Sequence, residues 1–320
     1  MQPDTVPASA SASASAPVPA PAAPEAQRGA DVIHNIGYRH YDGPRLGRGY
    51  ARVSLFSQSL RGAYGLGRSA KSKVLPMLLF AAMCAPALII VAVAIGTKMT
   101  KLPMQYMQYT IFLQMVIALF VAAQAPQSVS RDLRFKTTPL YFSRPIERID
   151  YVAAKFAAMT AALFILTAVP LVILYVGGLL AKFGFASQTA GFGKGIVAAL
   201  LLSLLLAGIG MVIAAITPRR GFGVAAIIAV IAISYGAVSA IQGVAYSQGN
   251  FEAEGWFGLF SPISLLDGAQ SWWLGATVSN PGNYGPPNAF AGTVYLFVLL
   301  AVIAGCFGLL MRRYRKVGLS

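Results

Sequence analysis

The residues able to do chemistry are few, and their spacing decides which chemistry is open. The two histidines, His34 and His40, stand six apart without a cysteine or carboxylate cluster beside them, a poor metal site. GFGKG at 191–195 has the composition of a phosphate loop but not its spacing. Such a loop needs Gly, four residues, then Gly-Lys followed by Ser or Thr. Here Gln188 stands five before Gly193 and Gly195 follows Lys194, and the segment is expected in a loop between spans. With no paired carboxylates and no Ser/His set, the reading assigns no catalytic residue, no metal ligand and no cofactor to this chain. What remains is a charged, proline-punctuated stretch, RDLRFKTTPLYFSRPIERID, from Arg131 to Asp150. It reads either as a plain connector or as a handle on which a partner docks. Thr138 is suited to capping a helix and Pro139 to its first position. Pro145 forces a break, and a second helix begins near Ile146 with Glu147 in its first turn. The result is a very short helix bearing Leu140, Tyr141 and Phe142. Exposed aromatics on a short rigid element fit a partner's groove, with Arg131, Arg134, Lys136, Arg144 and Arg148 at its rim.

The elements that must hold this stretch are apolar. Of 320 residues, 57% are hydrophobic and 11% charged, against about 25% charged in a soluble domain. Charge-free windows follow one another: 74–97, 102–130, 156–181, 195–218 and 221–251, with a last one before Arg312. Each holds a helix of about 20 residues, the length that crosses the hydrocarbon. Six spans are predicted, near 74–96, 106–125, 154–179, 195–217, 223–245 and 289–311. The fold class is therefore an all-α membrane protein.

Orientation follows from Lys and Arg. With the N-terminus inside, the inner segments hold 21 of the 25 basic residues and the outer loops 4. Both termini are thus predicted cytoplasmic. The net charge of +15 then orients the chain and meets anionic lipid rather than nucleic acid. Cys84 and Cys306 fall inside spans, so no disulfide is expected.

Residues 1–30 are Ala, Ser and Pro and read as a disordered tail. Residues 31–73 form a cytoplasmic lead-in, 74–311 the six-span domain, and 312–320 a basic tail. Within the lead-in Val53, Phe56, Leu60 and Tyr64 recur at helical spacing, flanked by Arg52 and Arg61. They read either as an interfacial helix on the inner leaflet or as a basic juxtamembrane stretch. Gln108, Gln114, Ser234, Ser239 and Gln242 are polar residues within spans. They either line a pathway or serve as interhelical glue. Between Tyr246 and Asn288, Ser261-Pro262 reads as a helix start and Gly275 as its stop. That helix is too short to span, so it is expected to be re-entrant or interfacial, an anchor or an outer lid.

SRDLRFKTTPLYFSRPIERIDYVAAK resembles the loop between spans two and three in membrane subunits of type-2 ABC exporters. An acidic/basic cluster leaves span two, followed by a Thr-rich helix and then the spaced residues Pro145, Arg148, Tyr151 and Lys155. The acid here is Asp132, in an Arg-Asp order where Glu-Arg is common. The lead-in IHNIGYRHYDGPRLGR is similar to that of an actinobacterial subgroup. The resemblance implies a permease half in a bacterial plasma membrane. It implies a second half, identical or homologous, and a separate ABC ATPase subunit holding ATP and Mg. Docking would run through a coupling helix, with Asp132, Arg134, Thr138, Pro139, Leu140, Tyr141, Phe142, Arg144, Pro145 and Arg148 at the contact. An uncharged interior points to a hydrophobic or amphipathic cargo. A secondary carrier or channel is the alternative.

Overall fold

The computed structural model describes residues 43, 46–135, 146–217, 219–279 and 285–317, without the side chains of Arg131, Arg134, Arg220, Lys316 and Val317. The described residues are helical or irregular, with no strand among them. In chain order the helices are α1 (Arg48–Ala63), α2 (Ala70–Gly96), α3 (Tyr106–Phe112), α4 (Gln114–Ser128), α5 (Ser130–Arg134), α6 (Arg148–Leu180) and α7 (Phe185–Ile216). Then come α8 (Arg220–Ile228), a π turn (Ala229–Ile233), α9 (Ser234–Ser247), α10 (Phe251–Phe257), α11 (Pro262–Leu274) and α12 (Ala289–Val317).

Five segments are long and apolar enough to cross a bilayer: α2, α6, α7, α8 continuing into α9, and α12. The sixth expected span is not one straight helix. It is α3 and α4, bent by 60° at Leu113. No proline or glycine marks that point. The bend follows from long-range ties on α3: Gln105 Oε1 accepts from the Thr277 N–H at 3.0 Å, and Gln108 Nε2 donates to Thr277 Oγ1 at 2.9 Å. α3 is thereby held by residues almost 170 positions away, while α4 follows the bundle.

The core lies along α6 and α7, which pack against each other over their length; α1 and α2 flank α6, while α4 and α12 flank α7. Burial follows this order. Within their apolar windows, 56% of α7 and 44% of α6 is buried, against 17–22% of α2, α8–α9 and α12. The outer three expose Leu78, Ile89, Ile233, Val244, Phe297 and Leu300. Such a surface is stable against lipid or a partner helix and not against water. The chain is a multi-pass membrane protein on this ground.

GFGKG is not in a loop. It lies inside α7, which starts at Phe185. Glycines here serve close packing: a Cβ at Gly195 would come within 2.7 Å of Tyr106 Cβ, and one at Gly191 within 3.2 Å of the same ring. Two glycines four apart form one small-residue face, and Tyr106 of α3 rests on it. The helix expected after Ser261-Pro262 is α11, closed by Gly275 in the left-handed region at φ 67°, where glycine carries no Cβ penalty. It is no surface helix. Ile263, Leu265, Leu266 and Ala269 are buried, and α12 and α7 pack against it. Its C-terminal Trp272 and Trp273 are exposed.

Candidate coupling site

Residues 136–145, with Thr138, Pro139, Leu140, Tyr141, Phe142, Arg144 and Pro145, lie outside the described residues, as does the Arg134 side chain. The described residues on either side of them form the two flanks of this stretch.

The exit is α5, a five-residue helix after α4. Ser130 Oγ donates to the Ala214 carbonyl at 2.6 Å, which fixes α5 to the end of α7. Asp132 is turned inward and buried. Its Oδ2 meets Lys155 Nζ at 2.9 Å and accepts from the Tyr151 hydroxyl at 2.7 Å. Lys155 also donates to the Ser128 carbonyl at 3.1 Å. Its ammonium lies 5.7 Å from the Tyr151 ring centre. Tyr151 is fully buried, and the Tyr314 ring from the C-terminal part of α12 packs on it at 5.1 Å. A buried charge needs a partner and a full set of hydrogen bonds, and Asp132 obtains both from α6.

Re-entry is at Glu147, the residue that caps α6, and its N–H donates to Asp150 Oδ2 at 3.2 Å. This is the capping pattern of an acid one turn inside a helix. Asp150 is 6% exposed and is held from outside its own helix: Arg48 Nε reaches Oδ2 at 2.5 Å and Arg52 Nε reaches Oδ1 at 2.8 Å. Arg48 also pairs with Glu147. Hydrogen bonds to Asp150 and then Glu147 raise the Arg48 pKa above its ordinary value. Arg148 is half-buried.

Both arginines come from α1. Arg48, Arg52 and Leu55 recur at helical spacing and form the face that docks on α6, with Leu55 buried. The stripe Val53, Phe56, Leu60 and Tyr64 is not that face. Val53 is 65% exposed, Phe56 and Leu60 are half-buried, and Tyr64 is buried just past the helix end, donating to the Ala162 carbonyl at 2.8 Å. Between α1, α4 and α6 lies a cleft of about 70 Å³ with Gln58, Arg68, Gln124, Asp132 and Lys155 among its walls. Arg68 bridges it to Gln127 at 3.0 Å.

Three elements thus converge on the two ends of one segment. α1 clamps the re-entry, α6 clamps the exit, and α12 backs the exit clamp with Tyr314 against Tyr151.

The polar residues within spans are not gathered on one site. Gln108 binds Thr277, and Gln242 is buried with Nε2 donating to the Glu254 carbonyl at 3.1 Å. Gln114 is half-buried and its buried Oε1 has no hydrogen bond among the described residues. Ser234 bonds back to the Val230 carbonyl across the π turn, and Ser239 is half-buried. Asp150 was missed from the sequence as a site residue, although Glu147 three before it and the Arg48/Arg52 pair four apart were signals. Tyr314 carried no signal, because its partner is 163 positions away.

Residues 60–319 match the sequence profile of a family described as ABC-2 family transporter protein. A search of curated proteins returns no match.

Proposed function

From the premise that the chain belongs to the ABC-2 family of transporter proteins, and is therefore a permease subunit of an ABC transporter, we propose that it is one half of an export path driven by a separate ATPase. Residues 136–145 are the segment that docks on that ATPase, and Leu140, Tyr141 and Phe142 are its anchors. The observation that carries this reading is the clamping of both ends of the segment, Asp132 by Lys155 and Tyr151, Asp150 by Arg48 and Arg52. A passive connector has no use for a buried, ion-paired carboxylate at each end, since such pairs contribute little net stability and mainly fix geometry.

In this reading ATP closes the ATPase subunits on each other and moves 136–145. The motion passes through Asp150 to α1, and through Asp132 to α6, the helix at the centre of the bundle. Two permease halves, identical or homologous, line the path between them. α4 packs against α8, so spans two and five share one side of the bundle. That side exposes Phe112, Met115 and Leu119 on span two and Val230, Ile233 and Ile241 on span five. It is the surface proposed to meet the second half. In this reading both termini and 136–145 lie on the cytoplasmic side of a bacterial plasma membrane, which the split of basic residues supports, and the likeness of the lead-in supports an actinobacterial permease. ATP and Mg belong to the partner subunit, and the cargo is hydrophobic or amphipathic.

The test is affinity purification of the chain from membranes of its own host in a mild detergent. An ATPase subunit with vanadate-sensitive activity is expected to co-purify in stoichiometric amount. Recovery of the chain alone, with proton- or ion-driven transport in vesicles, would favour the self-powered carrier instead.

A further inference from the structure

At the end of the bundle opposite Asp132, a vestibule of about 710 Å³ opens between the segment after α2, the start of α7 and the end of α11. Its volume is that of a small-molecule site. Three features of its lining point to one ligand chemistry. Lys101 and Lys194 both border it, and neither makes an ion pair among the described residues. The one carboxylate on α11, Asp267, is already committed: its oxygens accept from the Ser279 N–H, the Ser279 hydroxyl and Gln270. Gln188 is 9% exposed and also lines the space; its Oε1 accepts from the Tyr106 hydroxyl, while its amide nitrogen has no acceptor among the described residues. Two ammonium groups and an amide donor thus border one cavity, and no carboxylate among the described residues lines it.

The rest of the wall is apolar or braced. Leu102 and Met104 are half-buried, and Ile95 and Met99, just before them, are exposed. A ligand with a charged head among the lysines can therefore lay an apolar tail toward the lipid-facing end of α2. The cavity is also built rather than incidental. The bend at Leu113, the Gln105 and Gln108 ties to Thr277, and the seat of Tyr106 on Gly191 and Gly195 all hold α3 as one wall.

We infer that this vestibule binds the anionic head group of an amphiphile, of the phosphate class. Lysine suits this role because its ammonium is a compact point charge with three donors. The head group belongs either to a resident phospholipid or to the transported cargo. As a statement about cargo the inference rests on the permease reading; the site itself is tested without any ATPase.

The full-length chain in neutral detergent is titrated with dihexanoyl phosphatidic acid or dihexanoyl phosphatidylcholine and followed by native mass spectrometry. The phosphatidic acid binds more tightly at low salt, inorganic phosphate competes with it, and Lys101→Gln/Lys194→Gln weakens it by roughly tenfold or more, the loss of charge-assisted hydrogen bonds. Lys98→Gln/Lys182→Gln removes the same charge from the same end of the bundle but not from the vestibule, and leaves binding unchanged. Elution profiles and helical content check that each variant folds. A phospholipid that co-purifies with the native chain and is lost from the Lys101/Lys194 variant identifies a resident lipid. Probe binding without a retained lipid identifies the cargo head group. Unchanged affinity in Lys101→Gln/Lys194→Gln, or an equal loss in the control pair, overturns the inference.

Discussion

Lys155 and Asp132 face each other at 2.9 Å with side chains only 10% and 12% exposed, so removing either strands the other in the protein. Breaking such a pair costs about 3–5 kcal/mol, whereas replacing both partners with apolar groups is often neutral. Lys155→Met is therefore expected to lower the melting temperature in detergent sharply. The triple variant Lys155→Met/Asp132→Leu/Tyr151→Phe, which leaves neither charge of the pair stranded, regains most of that loss. If it couples ATP hydrolysis to transport poorly despite recovered stability, the pair serves transmission rather than folding. Elsewhere, Gln114→Leu and Ser239→Leu separate pathway from glue. Altered cargo-stimulated hydrolysis with intact assembly supports a pathway role, and wild-type behaviour in both assigns these residues to packing.

Helix ends set by local chemistry were legible in the sequence, and helix breaks set by distant contacts were not. α11 was bounded correctly because Ser261-Pro262 and Gly275 act on their own neighbours. The start of α6, expected near Ile146 with Glu147 in the first turn, falls at Arg148 with Glu147 as the cap. The bend at Leu113 was not legible, because its cause is Thr277. GFGKG was misplaced into a loop, since glycine signals flexibility and close packing alike, and Tyr106 decides between them here. In α1 the apolar stripe drew attention away from the docking face, which opens with two arginines whose partner, Asp150, lies about a hundred positions away. The charged stretch was singled out from its residue types alone, but the ion pairs at its ends are tertiary facts. Small-residue contacts carry a prediction at this scale. A Cβ at Gly268 would lie 2.2 Å from Tyr295 Cε1, whereas one at Gly236 meets nothing within 4 Å. Gly268→Ala should thus destabilise the chain by about 1–3 kcal/mol through overpacking of α11 on α12. Gly236→Ala should be neutral or slightly stabilising, as helix propensity predicts. Thermal unfolding in detergent distinguishes the two.

For the whole molecule the central features are a buried two-helix core, an apolar outer shell, and two ends of different chemistry. One end holds the charge-paired clamps around 136–145, and the other the lysine-bordered vestibule. The proposed orientation has the first end in the cytoplasm and the second outside. With Cys84 and Cys306 replaced by alanine, a cysteine at Ser187 should react with an impermeant thiol reagent in intact cells, and one at Ser320 should not. Labelling at Ser320 alone would invert the assignment and place 136–145 out of reach of any cytoplasmic ATPase. The account stands most directly on whether 136–145 couples an ATPase to this bundle. The decisive measurement is ATP hydrolysis and ATPase retention by the purified complex in vesicles, compared between the native chain and Tyr141→Ala/Phe142→Ala. Truncating a buried aromatic anchor typically costs at least about 2 kcal/mol, or roughly thirtyfold in affinity. The account predicts that the variant sheds its ATPase subunit, or hydrolyses ATP without transport, while its helical bundle unfolds at the native temperature. A variant that keeps both its partner and its coupled hydrolysis would contradict it.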